Sequence, residues 1–268
     1  MDNKIDPYIY LLGAGTMSRN ISAEQLMHFI NKQEYLIEIL NHNFYPRLCK
    51  ESIKPFIESV YVGMKCFCDI PLDSIEKHIK VYGDFAVGFK KIWGIKVGLT
   101  PVIYYNSKSS YVESMRCIYN DRIKLLNKLH EKYTGAISKE QSAVIDLIIE
   151  LKKSFTMYKP ICGYYDRTKE ENYNFYNERE WRYIHSSKNN NISSFLDCDF
   201  LKPKDINRQN ELYRKNLQIE YSYDDIDFIL CPNESCFGEV LKEVEVPDKD
   251  KLKIYQKFKT LQSLNHRP

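Results

Sequence analysis

The sequence predicts an α+β fold, and three observations carry that reading. Short runs rich in β-branched and aromatic residues are scattered along the chain. They alternate with capped amphipathic helices without a regular βαβ rhythm, and one stretch at about 107–157 is wholly helical in pattern. With 268 residues, 43% hydrophobic and 28% charged, the chain has enough apolar material for a folded core. We therefore expect a single domain over residues 1–268 carrying an all-helical insertion at about 107–157.

Taken in order, Ser22 and Gln25 fit a capping box before Leu26, Phe29 and Ile30, which predicts a short helix that leaves His28 in a turn. Asn31 with Glu34 caps a second helix, in which Tyr35, Leu36, Ile39 and Leu40 recur at helical spacing up to Asn43. Met64 to Pro71 is strand-like and stopped by proline, and Asp73 with Glu76 caps a helix through Ile75 and Ile79 to Gly83. Phe85–Lys90 and Pro101–Tyr105 alternate as strands. Tyr111–Tyr133 reads as a long helix, followed by one capped by Ser138 and Gln141. Strand character returns at Glu180–His185, Leu217–Tyr223 and Asp227–Cys231, and Asp248–Leu264 reads as one lysine-rich helix.

Lysine and arginine (39) exceed aspartate and glutamate (36) by three, which is too even to bind nucleic acid or an anionic membrane by bulk charge. No stretch approaches the roughly 18 apolar residues of a membrane span, and Met1–Pro7 is polar where a signal peptide is basic and then apolar, so a soluble cytoplasmic protein is expected. The eight cysteines include no Cys-x-x-Cys pair, so no metal site is expected.

Several motifs invite chemistry. Leu12-Gly13-Ala14-Gly15-Thr16 has glycines that let backbone amides approach a phosphate, but no third glycine, and a plain turn is the competing reading. Glu178 and Glu180 lie two apart at a strand start and would share a face. They either converge on a ligand, where such carboxylates stabilise oxocarbenium charge, or form a solvated ion-paired edge. His78 and Tyr82 share a helical face that either packs on a sheet or meets substrate. Aromatic and cationic residues interleave in Lys152–Lys159 and Arg208–Lys215, as suits single-stranded nucleic acid or an ordinary amphipathic helix.

Two resemblances follow. Leu26-Met27-His28-Phe29 with Tyr35 to Phe44, then Cys66-Phe67-Cys68, then Glu178-Arg179-Glu180 resemble, in order, the three motifs of ADP-ribosyltransferases related to poly-ADP-ribose polymerases and DarT. This departs from the pattern where cysteines replace hydroxyl residues in the second motif and Asn43 replaces a glycine. Cys66-Phe67-Cys68-Asp69-Ile70-Pro71-Leu72, His78 with Tyr82-Gly83, Val87-Gly88-Phe89, Pro101 to Tyr104, Tyr158-Lys159-Pro160 and Glu180-Trp181-Arg182 together resemble the AbiGi family of abortive phage-infection systems.

The first resemblance implies a split mixed β-sheet, NAD as cosubstrate, and a mono-ADP-ribosyltransferase toxin modifying nucleic acid or protein. It moves His28 onto a strand, where it would bond the adenosine ribose. Glu180 would be the catalytic carboxylate and Glu178 would orient the acceptor. Tyr82 or Phe85 would stack on nicotinamide, with Cys66 and Cys68 lining the cofactor. The second implies the alternative, a non-catalytic antitoxin or regulator that works by contact with a partner toxin.

Overall fold

A computed structural model describes residues 24–132, 137–185, 192–198 and 202–264. The Leu12–Thr16 glycine motif lies outside them. The chain runs β1 (Gln25–Ile30), α1 (Gln33–Asn41), β2 (Arg47–Ile53), β3 (Ile57–Cys68), α2 (Glu76–Tyr82), β4 (Phe85–Lys90) and α3 (Lys91–Lys96). Next come β5 (Thr100–Pro101), β6 (Ile103–Tyr105), α4 (Ser110–Lys132), α5 (Lys139–Phe155), β7 (Tyr158–Pro160), β8 (Cys162–Tyr165), β9 (Glu170–Asn174) and β10 (Glu180–Ile184). The last elements are β11 (Phe195–Asp197), α6 (Pro203–Asn216), β12 (Ile226–Cys231), α7 (Glu234–Glu243), α8 (Asp248–Gln256), β13 (Phe258–Thr260) and α9 (Leu261–Leu264). This is a mixed α+β architecture.

The main sheet is ordered β13-β12-β4-β1-β3-β10-β5, with β2 and β11 also pairing to β3. All its pairings are antiparallel except β12 with β13. Strand alternation divides its residues between two faces. One face carries Leu26, Ile30, Phe67, Val87 and Phe89 and is covered by α1 through Leu36 and Leu40, α3 through Trp93, and α7 through Phe237 and Val240. The other carries Val60, Val62 and Met64 under α4 and α5, through Val112 and Phe155, and Met27, Ala86, Phe228 and Leu230 beside Ile75. Each face is therefore a separate apolar layer.

Several expected elements form as read. The Ser138 hydroxyl accepts from the Gln141 amide at 3.2 Å while the Gln141 side chain accepts from the Ser138 amide at 2.7 Å, completing the box that starts α5. The two long helices lie between β6 and β7, which pair in parallel. Others differ. Residues 25–30 form a strand rather than a helix, because all six pair with β4 and helical spacing in so short a run does not outweigh a full ladder. His28 is thus on a strand.

Leu217–Tyr223 makes one bridge, Phe44 to Ile219, and is otherwise not a strand. The expected helix 248–264 breaks at Lys257 so that Phe258–Thr260 can pair with β12. Pro101–Tyr105 divides into β5 and β6, which belong to different sheets.

Gly83 ends α2 at φ 116°, where a Cβ would lie 2.3 Å from the Asn31 Cα, whereas Gly98 at φ 90° has open space around it. We expect Gly98→Ala to cost about 1 kcal/mol for backbone strain alone, and Gly83→Ala about 2 kcal/mol or more because the clash adds to it. Urea midpoints of the two variants check this ordering.

Candidate functional site

Glu180 opens β10, but Glu178 precedes the strand, at the end of a 3-10 turn (Phe175–Glu178) that the Asn174 side chain caps through the Tyr176 amide. Between them Arg179 takes the left-handed conformation at φ 45°, ψ 49°. Its amide bonds to the Tyr176 carbonyl at 3.3 Å, and its own carbonyl accepts from the Asp69 amide at 3.0 Å. The two carboxylates do converge, as their spacing suggests, but through this reversal of the chain rather than through strand alternation.

They meet on Lys159 of β7. Its Nζ lies 2.7 Å from Glu178 Oε2 and 2.5 Å from Glu180 Oε2. Arg182, next on the same face of β10, donates Nε to Glu180 Oε1 at 2.7 Å, Nη1 to the Thr156 carbonyl at 2.6 Å, and Nη2 to Glu51 Oε2 at 3.0 Å. Tyr82 donates to Glu178 Oε1 at 2.5 Å and itself accepts from Tyr165 at 2.9 Å. The Glu180 amide donates to the Tyr104 hydroxyl at 2.8 Å. Glu178, Glu180 and Arg182 are 2%, 5% and 1% exposed, so this is a buried ionic cluster, three carboxylates against two cations.

Burial alone would raise the Glu180 carboxyl, but the Arg182 and Lys159 charges and their hydrogen bonds hold it well below the ordinary carboxylate range. Burial likewise opposes charge on Lys159 and Arg182, yet their carboxylate neighbours keep both firmly protonated. The Tyr82 hydroxyl is pushed up by burial and by Glu178, so it acts as a donor and not as a phenolate. The Glu180 carboxylate, compensated this fully, is built to stay ionised.

The other expected site residues divide between the two faces of the sheet. Met27 pairs with Cys68, and Cys68 with Glu180, so these three side chains share a face; His28, adjacent to Met27, projects from the opposite one. There its Nδ1 meets the Cys66 carbonyl at 2.8 Å and its ring packs on Phe44 and Phe67. Burial, with Lys65 nearby, holds His28 well below its usual pKa, hence neutral.

Phe85 also lies on the His28 face, buried in its core. Cys66 and Cys68 do lie on the Glu180 face. Burial, then the nearby carboxylates, pushes both thiols well up, which removes the thiolate that a nucleophile needs. Tyr82 reaches Glu178 but is held there by its hydroxyl. The expected NAD contacts are therefore not gathered at one place: His28 and Phe85 sit on one side of the sheet, and Glu178, Glu180, Tyr82, Cys66 and Cys68 on the other.

The interleaved aromatics and cations of 152–159 are also redirected. Phe155 and Tyr158 are core residues and Lys159 belongs to the cluster, so they form no stacking platform. In 208–215, Tyr213 is wholly buried and Arg214 pairs with Glu38. The sequence reading did not single out Lys159, Arg182 and Glu51 as site residues. Arg182 was findable, since it shares a strand face with Glu180; Lys159 and Glu51 come from distant strands, and no local spacing points to them. No helix among the described residues is long and apolar enough to cross a membrane.

Removing Lys159 would leave two buried carboxylates short of a cation. Lys159→Met is expected to cost about 3 kcal/mol, and the double variant Lys159→Met/Glu178→Gln less, because one stranded charge is then gone. For Glu180 the folded carboxyl is held below its unfolded value. Its contribution is therefore full above the unfolded pKa of about 4.3 and is lost as pH falls from there through the folded value. Urea midpoints measured against pH should fall on acidification below about pH 4, and more steeply for wild type than for Glu180→Gln.

The model of the family described as "Putative abortive phage resistance protein AbiGi, antitoxin" matches residues 42–232. The "Abortive phage resistance protein AbiGi" of Lactococcus lactis subsp. cremoris is 32% identical over 152 residues, covering 52% of this chain and 57% of that protein. No solved structure matches. The family match runs from before β2 to the end of β12 and takes in Glu51, Lys159, Glu178, Glu180 and Arg182, while His28 lies outside it. With that span, about seven-tenths of its length, the chain belongs to the AbiGi family.

Proposed function

We propose that this chain is a non-catalytic antitoxin of an abortive phage-resistance system, restraining a partner toxin by protein–protein contact. The observation that carries the reading is the state of the Glu178/Glu180 pair. Both carboxylates are buried and bound to Lys159, and the histidine that would share a cofactor with them faces the other side of the sheet. A transferase needs an open carboxylate that meets the reacting sugar. A contact protein needs only a stable surface, and a locked ionic cluster supports one. The description of the matching family as an antitoxin agrees.

The second reading is an NAD-dependent mono-ADP-ribosyltransferase acting on nucleic acid or protein. It draws support from sheet order, because β1, β3 and β10, which carry the three resembling motifs, lie side by side.

Expression separates the two. The chain alone is expected to be harmless and to restore growth when co-expressed with its partner toxin. Growth arrest by the chain alone, abolished by Glu180→Gln, would reverse the assignment. Incubated with labelled NAD and a mixture of DNA, RNA and cell lysate, the purified protein is expected to release no nicotinamide and to transfer no label.

A further inference from the structure

The helical hairpin does not use all of its apolar residues in the core. On α4, Val112, Met115 and Tyr119 join Phe155 of α5 in the layer beneath, while Tyr111, Ile118 and Leu125 remain 47%, 40% and 41% exposed. These three are spaced seven residues apart. An α-helix drifts only about 20° per heptad from that repeat, so they form one nearly straight stripe, about 21 Å long from Tyr111 to Leu125. One end is fixed in place, since the Tyr111 hydroxyl lies 2.5 Å from that of Tyr158 and their rings stack at 6.4 Å. Single exposed apolar residues are ordinary on a surface, whereas an aligned set marks a contact site.

We infer that this stripe is the contact between two copies of this chain, with their α4 helices paired antiparallel about a two-fold axis at Ile118. The inference does not rest on the antitoxin reading. Even spacing makes the stripe self-complementary, which is what a two-fold interface requires: Ile118 meets Ile118 of the second copy, and Tyr111 of each meets Leu125 of the other. Charge selects this occupant and this direction. Residues 110–121 carry two carboxylates and one cation, a net −1, and residues 122–132 carry four cations and one carboxylate, a net +3. Antiparallel pairing sets each half against the opposite half, and the two helix dipoles likewise. A partner of uniform charge would match only one half. In the same register Asp121 faces Met115 and Arg122 faces Ser114 of the second copy, whereas parallel pairing would set every charge against its like.

Sedimentation of the full chain over a concentration series is expected to show a reversible monomer–dimer equilibrium that tightens as salt is lowered. Ile118→Lys places two like charges at the axis and is expected to weaken dimerisation by about tenfold or more, with the circular dichroism of the monomer unchanged. Leu147→Lys, at a residue 52% exposed on α5 rather than α4, is expected to dimerise as wild type does. Direction is read by mixing Tyr111→Cys and Leu125→Cys chains, both also carrying Cys117→Ser, under oxidation: a disulfide between positions 111 and 125 is expected, and none between 111 and 111. A wild type that stays monomeric throughout, a dimer that Ile118→Lys leaves intact or that Leu147→Lys weakens as much, or a 111–111 disulfide would overturn the inference. If wild type is monomeric and Ile118→Lys loses toxin binding, the stripe belongs to the toxin interface instead, and self-pairing fails while the antitoxin reading stands.

Discussion

The ion pairs of Lys159 and Arg182 with Glu178 and Glu180 are the constraint on which the central part of the molecule depends. Four charged side chains are withdrawn from water here, each at a desolvation cost of several kcal/mol, and only dense mutual pairing offsets that. The pairing reaches widely. Through Glu51, Thr156, Tyr82, Tyr104 and Tyr165 it ties β2, the end of α5, α2, β6 and β8 to the first residues of β10. A shift of any one of these elements strands a charge, so the cluster selects one arrangement where apolar packing alone tolerates several.

The sheet places the cluster and His28 on opposite faces. Two neighbouring residues of a strand cannot face the same side, and Met27 is tied through Cys68 to the side that Glu180 occupies. On its own side His28 meets Phe44, Phe67 and a backbone carbonyl, in a core continuous with Val87, Phe89 and Trp93. On the other side the carboxylates lie between the α4/α5 core and the α2 core. A similar partition governs Lys91 and Asp69, whose 2.9 Å pair joins the start of α3 to the residue after β3. Buried charge in this protein is used to join elements.

Next to that rigid centre, α2 combines opposite tendencies. Ile75 and Ile79 pack it into the core and Tyr82 anchors its end to Glu178, while His78 between them has polar atoms that the fold does not satisfy. Among the described residues, the buried side-chain polar atoms left without a partner are the two ring nitrogens of His78 and Nδ1 of His185.

What was legible in the sequence were features set by neighbours in the chain. The α5 capping box, the glycine stop of α2, the strand 85–90 and the succession of two long helices all rest on contacts within a few residues, which spacing records. The closeness of Glu178 and Glu180 was legible too, though the left-handed Arg179 that produces it was not. Tertiary pairing decided the rest. A six-residue ladder with β4 made a strand of a segment patterned for a helix, and pairing with β12 interrupted the final helix. Lys159 and Glu51 reached the carboxylates from strands far away in the chain. Sequence spacing by itself determined which residues share a face of one element; which faces meet, and so whether two carboxylates become a reactive pair or a structural one, is a property of contacts between distant segments that only the folded sheet brings into being.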